Sequence, residues 1–141
     1  MKTVRVVAAV IRSENENGEP IFFATRRGYG EYRGAWEFPG GKIEEGETPK
    51  EALIREIREE LDTEIEVGEL IDTIEYDYPT FHLSMDCFFA KVRSGNLVLK
   101  EAEAARWLKK DELETVTWLP ADLKLIVELE KKTKNIYTKS S

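Results

Sequence analysis

A chain of 141 residues is the length of one ordinary domain, enough to bury a single core and too short for two. With 41% hydrophobic and 35% charged residues and no long stretch poor in apolar side chains, it belongs to the globular class and not the disordered one. Its 28 acidic against 21 basic residues give a formal charge of −7 without a segregated basic stripe, which argues against a nucleic-acid polymer as partner and requires a bridging cation for any small phosphorylated ligand.

In chain order, Val4 to Ile11 is small and β-branched with no continuous polar face, which predicts a strand covered on both sides. The apolar run between Arg5 and Arg12 is only six residues, too short for a signal-peptide core or a membrane span. Asn17-Gly18 is a strong turn signal, after which Ile21 to Thr25 is expected to pair back on the first strand. A Gly- and Tyr-rich loop follows from Gly28 to Gly34, then a short apolar piece, Trp36 to Phe38, stopped by Pro39. Thr48-Pro49-Lys50-Glu51 supplies an N-cap, a proline at the first helical position and a glutamate at the third, so a helix should run to about Leu61. Leu53, Ile57 and Leu61 form its buried stripe.

Further strands are predicted over Glu66 to Tyr76 and Phe81 to Val92, joined by Asp77-Tyr78-Pro79-Thr80, with a shorter one at Ala105 to Leu108. Pro120-Ala121-Asp122 opens a last helix in which Leu123, Ile126, Val127 and Glu130 are expected to share a face, before a polar stretch from Lys131 frays. These elements predict an α+β domain with helices packed on a central sheet, one domain over 1–133 and a polar tail over 134–141. Cys87 is the single cysteine, which excludes an internal disulfide and suits a reducing, cytoplasmic setting.

Chemistry concentrates on the first helix. Glu56, Glu59 and Glu60 stand at spacings of three and four, so their carboxylates share one face and repel, by roughly 0.2–0.5 kcal/mol per pair. The repulsion turns favourable if a divalent cation lies among them, since Mg²⁺ takes oxygen ligands from carboxylates, phosphates and water. Just upstream, Phe38-Pro39-Gly40-Gly41-Lys42 places paired glycines where backbone must approach closely. A Walker phosphate loop is ruled out, because position 36 is Trp where glycine is needed and Ile43 replaces its Ser or Thr.

Gly41, five residues, Glu47, seven residues, then Arg55-Glu56-Ile57-Arg58-Glu59-Glu60 resembles the Nudix box position by position. The match departs at its end, where the family has glycine and an aliphatic residue and this chain has Asp62 and Thr63. Thr25-Arg26-Arg27, Trp36-Glu37-Phe38-Pro39-Gly40-Gly41-Lys42, Tyr78-Pro79 and Pro120-Ala121-Asp122 are similar to the MutT branch, which cleaves nucleoside triphosphates to the monophosphate and pyrophosphate.

The resemblance implies a Nudix α/β/α sandwich with a mixed central sheet. It implies a Mg²⁺ cofactor, with Mn²⁺ able to substitute, held by Glu56, Glu59, Glu60, the Gly40 or Gly41 carbonyl, and Glu101 or alternatively Glu103. Arg55 would pair with a box glutamate, Glu47 first, keeping the ligands aimed. The general base is Glu56 or Glu101, with Glu59 also in the catalytic set. Arg27 is expected on a phosphate in preference to Arg26. Phe38 and Phe81 would wall the base, and Asp122, as a hydrogen-bond acceptor, would read its donors. The partner is then a small nucleotide, of an oxidised-guanine or cytidine type, met by a monomer or homodimer away from membranes. ADP-ribose or a dinucleoside polyphosphate is the alternative substrate, and a catalytically silent nucleotide sensor the alternative of another class.

Overall fold

The computed structural model describes the backbone of residues 1–140 and the side chains of residues 1–132. Its elements are β1 (Lys2–Glu14), β2 (Pro20–Arg26), β3 (Trp36–Glu37), β4 (Gly40–Lys42), α1 (Pro49–Leu61), β5 (Glu64–Tyr78), β6 (Phe81–Ser94), β7 (Ala104–Lys109), a 3₁₀ turn (Lys110–Thr115) and α2 (Pro120–Ser140). The strands run in the order β3-β2-β1-β6-β5, with β4 added to β1 and β7 to β2. β1 and β6 pair in parallel from Lys2 opposite Phe81 to Ile11 opposite Ala90, while the other strand pairs are antiparallel. The sheet is therefore mixed.

The apolar run of β1 sorts its side chains by parity, as a strand's alternation requires. Val7, Ala9 and Ile11 pack with Ala52, Leu53, Ile57 and Leu61 of α1 on one face. Ala8 and Val10 pack with Ala121, Leu125, Ile126 and Leu129 of α2 on the other. Two helices thus sandwich one sheet, giving the expected α/β/α architecture. No helix among the described residues is long and apolar enough to cross a membrane.

One edge of β1 changes partner along its length. Val6, Val7 and Ala8 pair with β4, Ala9 N–H donates to the Pro39 carbonyl at 2.8 Å, and Arg12 to Glu14 pair with β2. The crossing of Phe38-Pro39 between the two partners splits the sheet, and the resulting cleft is where the candidate site lies.

Four expectations need correction. Gly40–Lys42 is a strand where no element is expected, because the pairing with β1 supplies what its composition does not. Asp77 and Tyr78 belong to β5, leaving only Pro79-Thr80 as the link to β6. The 3₁₀ turn after β7 has no counterpart among the expected elements. Finally, Leu123 and Val127 lie on the outer face of α2, 55% and 52% exposed. The inward face is Ala121, Asp122, Leu125, Ile126 and Leu129, a phase set by Asp122, whose side chain accepts a hydrogen bond from Phe38 N–H at 2.9 Å. The expected polar tail over 134–141 lies outside the residues whose side chains are described.

Candidate active site

The helix that carries the box glutamates is fixed at both ends. Thr48 Oγ1 accepts from Glu51 N–H at 3.1 Å and Glu51 Oε1 accepts from Thr48 N–H at 2.8 Å, a reciprocal cap. Such a cap contributes about 1 kcal/mol. At the other end Asp62 turns left-handed, φ 50° and ψ 42°, and its N–H donates to the Arg58 carbonyl. Asp therefore takes the role of the family's glycine at that position. With Ala52, Leu53, Ile57 and Leu61 buried against the sheet, the phase of α1 is set.

Arg55 gathers the acids beside this helix. Its Nε and Nη2 donate to the two Glu47 oxygens at 2.7 and 2.9 Å, Nη1 donates to Glu56 at 2.9 Å and Glu59 at 3.2 Å, and Nη2 also donates to the Lys42 carbonyl at 3.0 Å. Hydrogen bonding from Arg55 lowers the Glu47 carboxyl below its usual range, and the bond to Glu47 is the main reason the guanidinium is raised above its own. The expected pairing of Arg55 with Glu47 is present in this geometry.

Glu56 and Glu60 differ from Glu59, whose side chain is largely exposed. Burial raises Glu56 above the ordinary carboxylate range against the opposing bond from Arg55. Glu60 is pushed up to about 8, first by burial and then by the negative charges of Glu37, Glu56 and Glu101. Its Oε2 is buried without a hydrogen-bond partner among the described residues. Gly40 and Gly41 line the same place. A Cβ on Gly40 would fall 1.9 Å from the Val7 carbonyl, so only glycine fits against the backbone of β1 there, and one on Gly41 would fall 2.3 Å from the Glu56 carboxylate, which would have to move aside. Among the described residues no three acidic, histidine or cysteine side chains already stand close enough to enclose an ion, Glu56 and Glu59 being drawn to Arg55.

A cleft of about 500 Å³ runs along the split in the sheet. Its lining includes the acidic Glu37, Glu60 and Glu101 with Gly40 and Gly41, Arg27, and the aromatics Tyr32, Phe38, Tyr78 and Phe81 with Asp122. Glu103 is instead engaged by Arg26 at 2.8 Å, away from the cleft, so Glu101 and not Glu103 faces Glu60. Arg27 reaches the cleft and Arg26 does not. Its Nε and Nη2 are both held by Glu37 at 2.8 Å, and its guanidinium lies 5.2 Å from the Tyr29 ring.

The aromatic lining is built by stacking. Phe81 lies against Tyr78 with centroids 5.1 Å apart and planes at 18°, and Tyr32 meets Tyr78 edge-on at 5.8 Å. Phe38 is 3% exposed and stacks on Trp118 at 4.8 Å, so it closes the floor more than it walls the opening. Asp122 is 4% exposed and pushed up to about 8 by burial. Burial favours its protonated form, while its Oδ1 accepts from Phe38 N–H at 2.9 Å. His82 stays outside the cleft, hydrogen-bonded to Asp77 at 2.6 Å.

Glu37 and Tyr78 line the cleft although the sequence gives neither a role of its own. Glu37 sits beside Phe38 in a motif already noted, but its partner Arg27 is ten residues away and the pairing of β2 with β3 brings them together.

The model of the NUDIX domain family matches residues 2–129. The Escherichia coli K12 protein named 8-oxo-dGTP diphosphatase is 30% identical over 131 residues, covering 93% of this chain and 99% of its own. The protein named CTP pyrophosphohydrolase from the same organism is 32% identical over 126 residues, covering 89% and 90%. The solution structure of the E. coli ORF135 protein superposes with a TM-score of 0.75 at 31% identity, covering 92% of this chain and 89% of that one. A box glutamate face on a capped helix, a glycine bend beneath it and full-length likeness to these enzymes place this chain in the Nudix family, as a MutT-like pyrophosphohydrolase.

Proposed function

We propose that this enzyme hydrolyses a (deoxy)nucleoside triphosphate, of an oxidised-guanine or cytidine type, to the monophosphate and pyrophosphate with Mg²⁺, for which Mn²⁺ can substitute. The observation that carries this is Glu60 Oε2, a buried carboxylate oxygen without a partner among the described residues, lining the cleft beside Gly40, where a Cβ would strike the backbone of β1. A carboxylate so placed stays costly unless a proton or a cation meets it. The hard oxygen donors Glu56, Glu59, Glu60, Glu101 and the Gly40 or Gly41 carbonyl fit a divalent ion of the Mg²⁺ class. When bound, that ion supplies charge neutralisation for the phosphates and a more acidic water.

The chain's own residues do the rest. Arg55 keeps Glu56 and Glu59 on one side of the helix and stays charged throughout, its guanidinium raised by Glu47. Glu56, whose proton affinity burial has raised, takes the proton from the attacking water, and Glu101 is the second candidate for that step. Arg27, aimed by Glu37, offers a phosphate its remaining donors. Phe81 with Tyr78, over the Phe38 floor, receives the base, and Asp122 reads its edge. The likeness to enzymes named for 8-oxo-dGTP and CTP supports a purine or pyrimidine triphosphate of this kind. The single buried Cys87 fits a reducing cytoplasm.

The test is a turnover screen of canonical, methylated and oxidised nucleoside triphosphates at fixed Mg²⁺, scoring pyrophosphate against inorganic phosphate. Pyrophosphate from one or a few triphosphates is expected. Turnover only of ADP-ribose or a dinucleoside polyphosphate, or of nothing, would overturn the proposal.

A further inference from the structure

Thr63 stands where the family's box carries an aliphatic residue, and it is 1% exposed, so its hydroxyl must find partners inside the protein. Thr63 Oγ1 donates to the Leu61 carbonyl at 2.9 Å and accepts from Leu97 N–H at 2.9 Å. Val98 N–H also donates to the Leu61 carbonyl, at 2.8 Å. The end of α1 thereby binds a segment that leaves β6 and leads to β7, using a carbonyl the helix itself leaves open.

The segment is shaped for this contact. Gly95 has φ 109°, and a Cβ there would lie 2.8 Å from Thr63 Cα and 2.9 Å from Thr63 Oγ1. Leu97 holds φ 52°, a left-handed conformation that leucine seldom adopts and that persists only where the surroundings impose it. What imposes it is the N–H bond to Thr63 and the packing of the Leu97 side chain on the α1 core. Four residues further on stands Glu101, lining the cleft with Glu60. Beyond it Glu103 N–H donates to the Arg26 carbonyl at 3.1 Å, and its carboxylate pairs with Arg26, so the far end is tied as well.

We propose that Thr63 is a positioning residue for the cation site: by tying Leu97 to the last turn of α1, its hydroxyl sets how Glu101 meets Glu60. The helix that presents three acids thus also places the one that comes from elsewhere in the chain. An aliphatic side chain at 63 would fill the space but leave Leu97 N–H without its acceptor. The inference rests on the reading of Glu101 as a ligand.

The experiment is Mn²⁺ titration of the metal-free protein without nucleotide, read as free Mn²⁺ by electron paramagnetic resonance. Thr63→Val should weaken Mn²⁺ binding about tenfold, the lower end for a residue that supports a ligand. Thr63→Ser should bind like the wild type, and Gly95→Ala, which pushes the same segment off Thr63, should reproduce the loss if Thr63→Val folds poorly. In a Glu101→Gln background Thr63→Val should cost nothing more, since the two act through one group. Unchanged affinity in Thr63→Val, equal losses in Thr63→Ser and Thr63→Val, or the same tenfold loss in both backgrounds would overturn the role of Thr63 alone. Wild-type affinity in Glu101→Gln would instead remove Glu101 as a ligand, and the role of Thr63 with it.

Discussion

Arg55 donates hydrogen bonds to three carboxylates and a backbone carbonyl from one guanidinium, a set that a lysine ammonium cannot match, having no planar fork. Arg55→Lys should therefore lower kcat/KM by about 10- to 100-fold, as loss of ligand support does elsewhere, while thermal melting changes little. Steady-state kinetics beside a melt checks both halves. Asp122 gives a pH prediction. In the folded protein burial holds its pKa at about 8, against 3.8 as the ordinary value, so between those limits the folded state binds the extra proton. Stability from this group is fully present below about pH 4 and is lost as pH rises through about 8. Chemical denaturation at pH 5 and pH 8 should show wild type losing more stability than Asp122→Asn; equal losses would contradict the assignment. Glu60, raised for the same reason, adds a slope of the same sign in the metal-free protein.

At the scale of elements, the two glycines before α1 should respond differently to alanine. Gly40→Ala drives a Cβ into the backbone of β1 and should destabilise by about 1–3 kcal/mol. Gly41→Ala meets only the Glu56 carboxylate, which can swing aside, so stability should hold while turnover falls. Urea midpoints and kcat measured on both variants separate the effects. The phase of α2 is tested by Leu125→Ala, expected to cost about 2–5 kcal/mol, against Leu123→Gln or Val127→Gln, each expected within about 0.5 kcal/mol of wild type. The reverse order would restore the phase expected from sequence. That contrast also marks what the sequence discloses. α1 is legible because its cap, its proline and its apolar stripe are local signals. The phase of α2 is not, since apolar residues lie on both of its faces and Asp122 decides which turns inward. β4 is hidden because Gly-Gly-Lys becomes a strand only by pairing with β1. Among site residues, Glu56, Glu59 and Glu60 announce themselves by spacing, whereas Glu37, Tyr78 and Thr63 act through partners distant in the chain.

For the whole molecule, a net charge of −7 and a cleft lined by Glu37, Glu60 and Glu101 pose one problem, how an anionic substrate is admitted at all. In the proposed function a divalent ion held between the glutamate face of α1 and the Gly40-Gly41 bend admits it. Gly40 opens β4 beside Pro39, where the edge of β1 passes to the crossing chain, so the fold's split in the sheet and the chemistry share one location. The most direct measurement is anomalous diffraction from crystals grown with Mn²⁺ and a non-hydrolysable triphosphate analogue. A manganese peak ligated by Glu56 and Glu60 beside the Gly40-Gly41 carbonyls, with the analogue's phosphates on it, is the predicted result. Manganese bound elsewhere, with Glu56 still held by Arg55 and Glu60 Oε2 still without a partner, would contradict it.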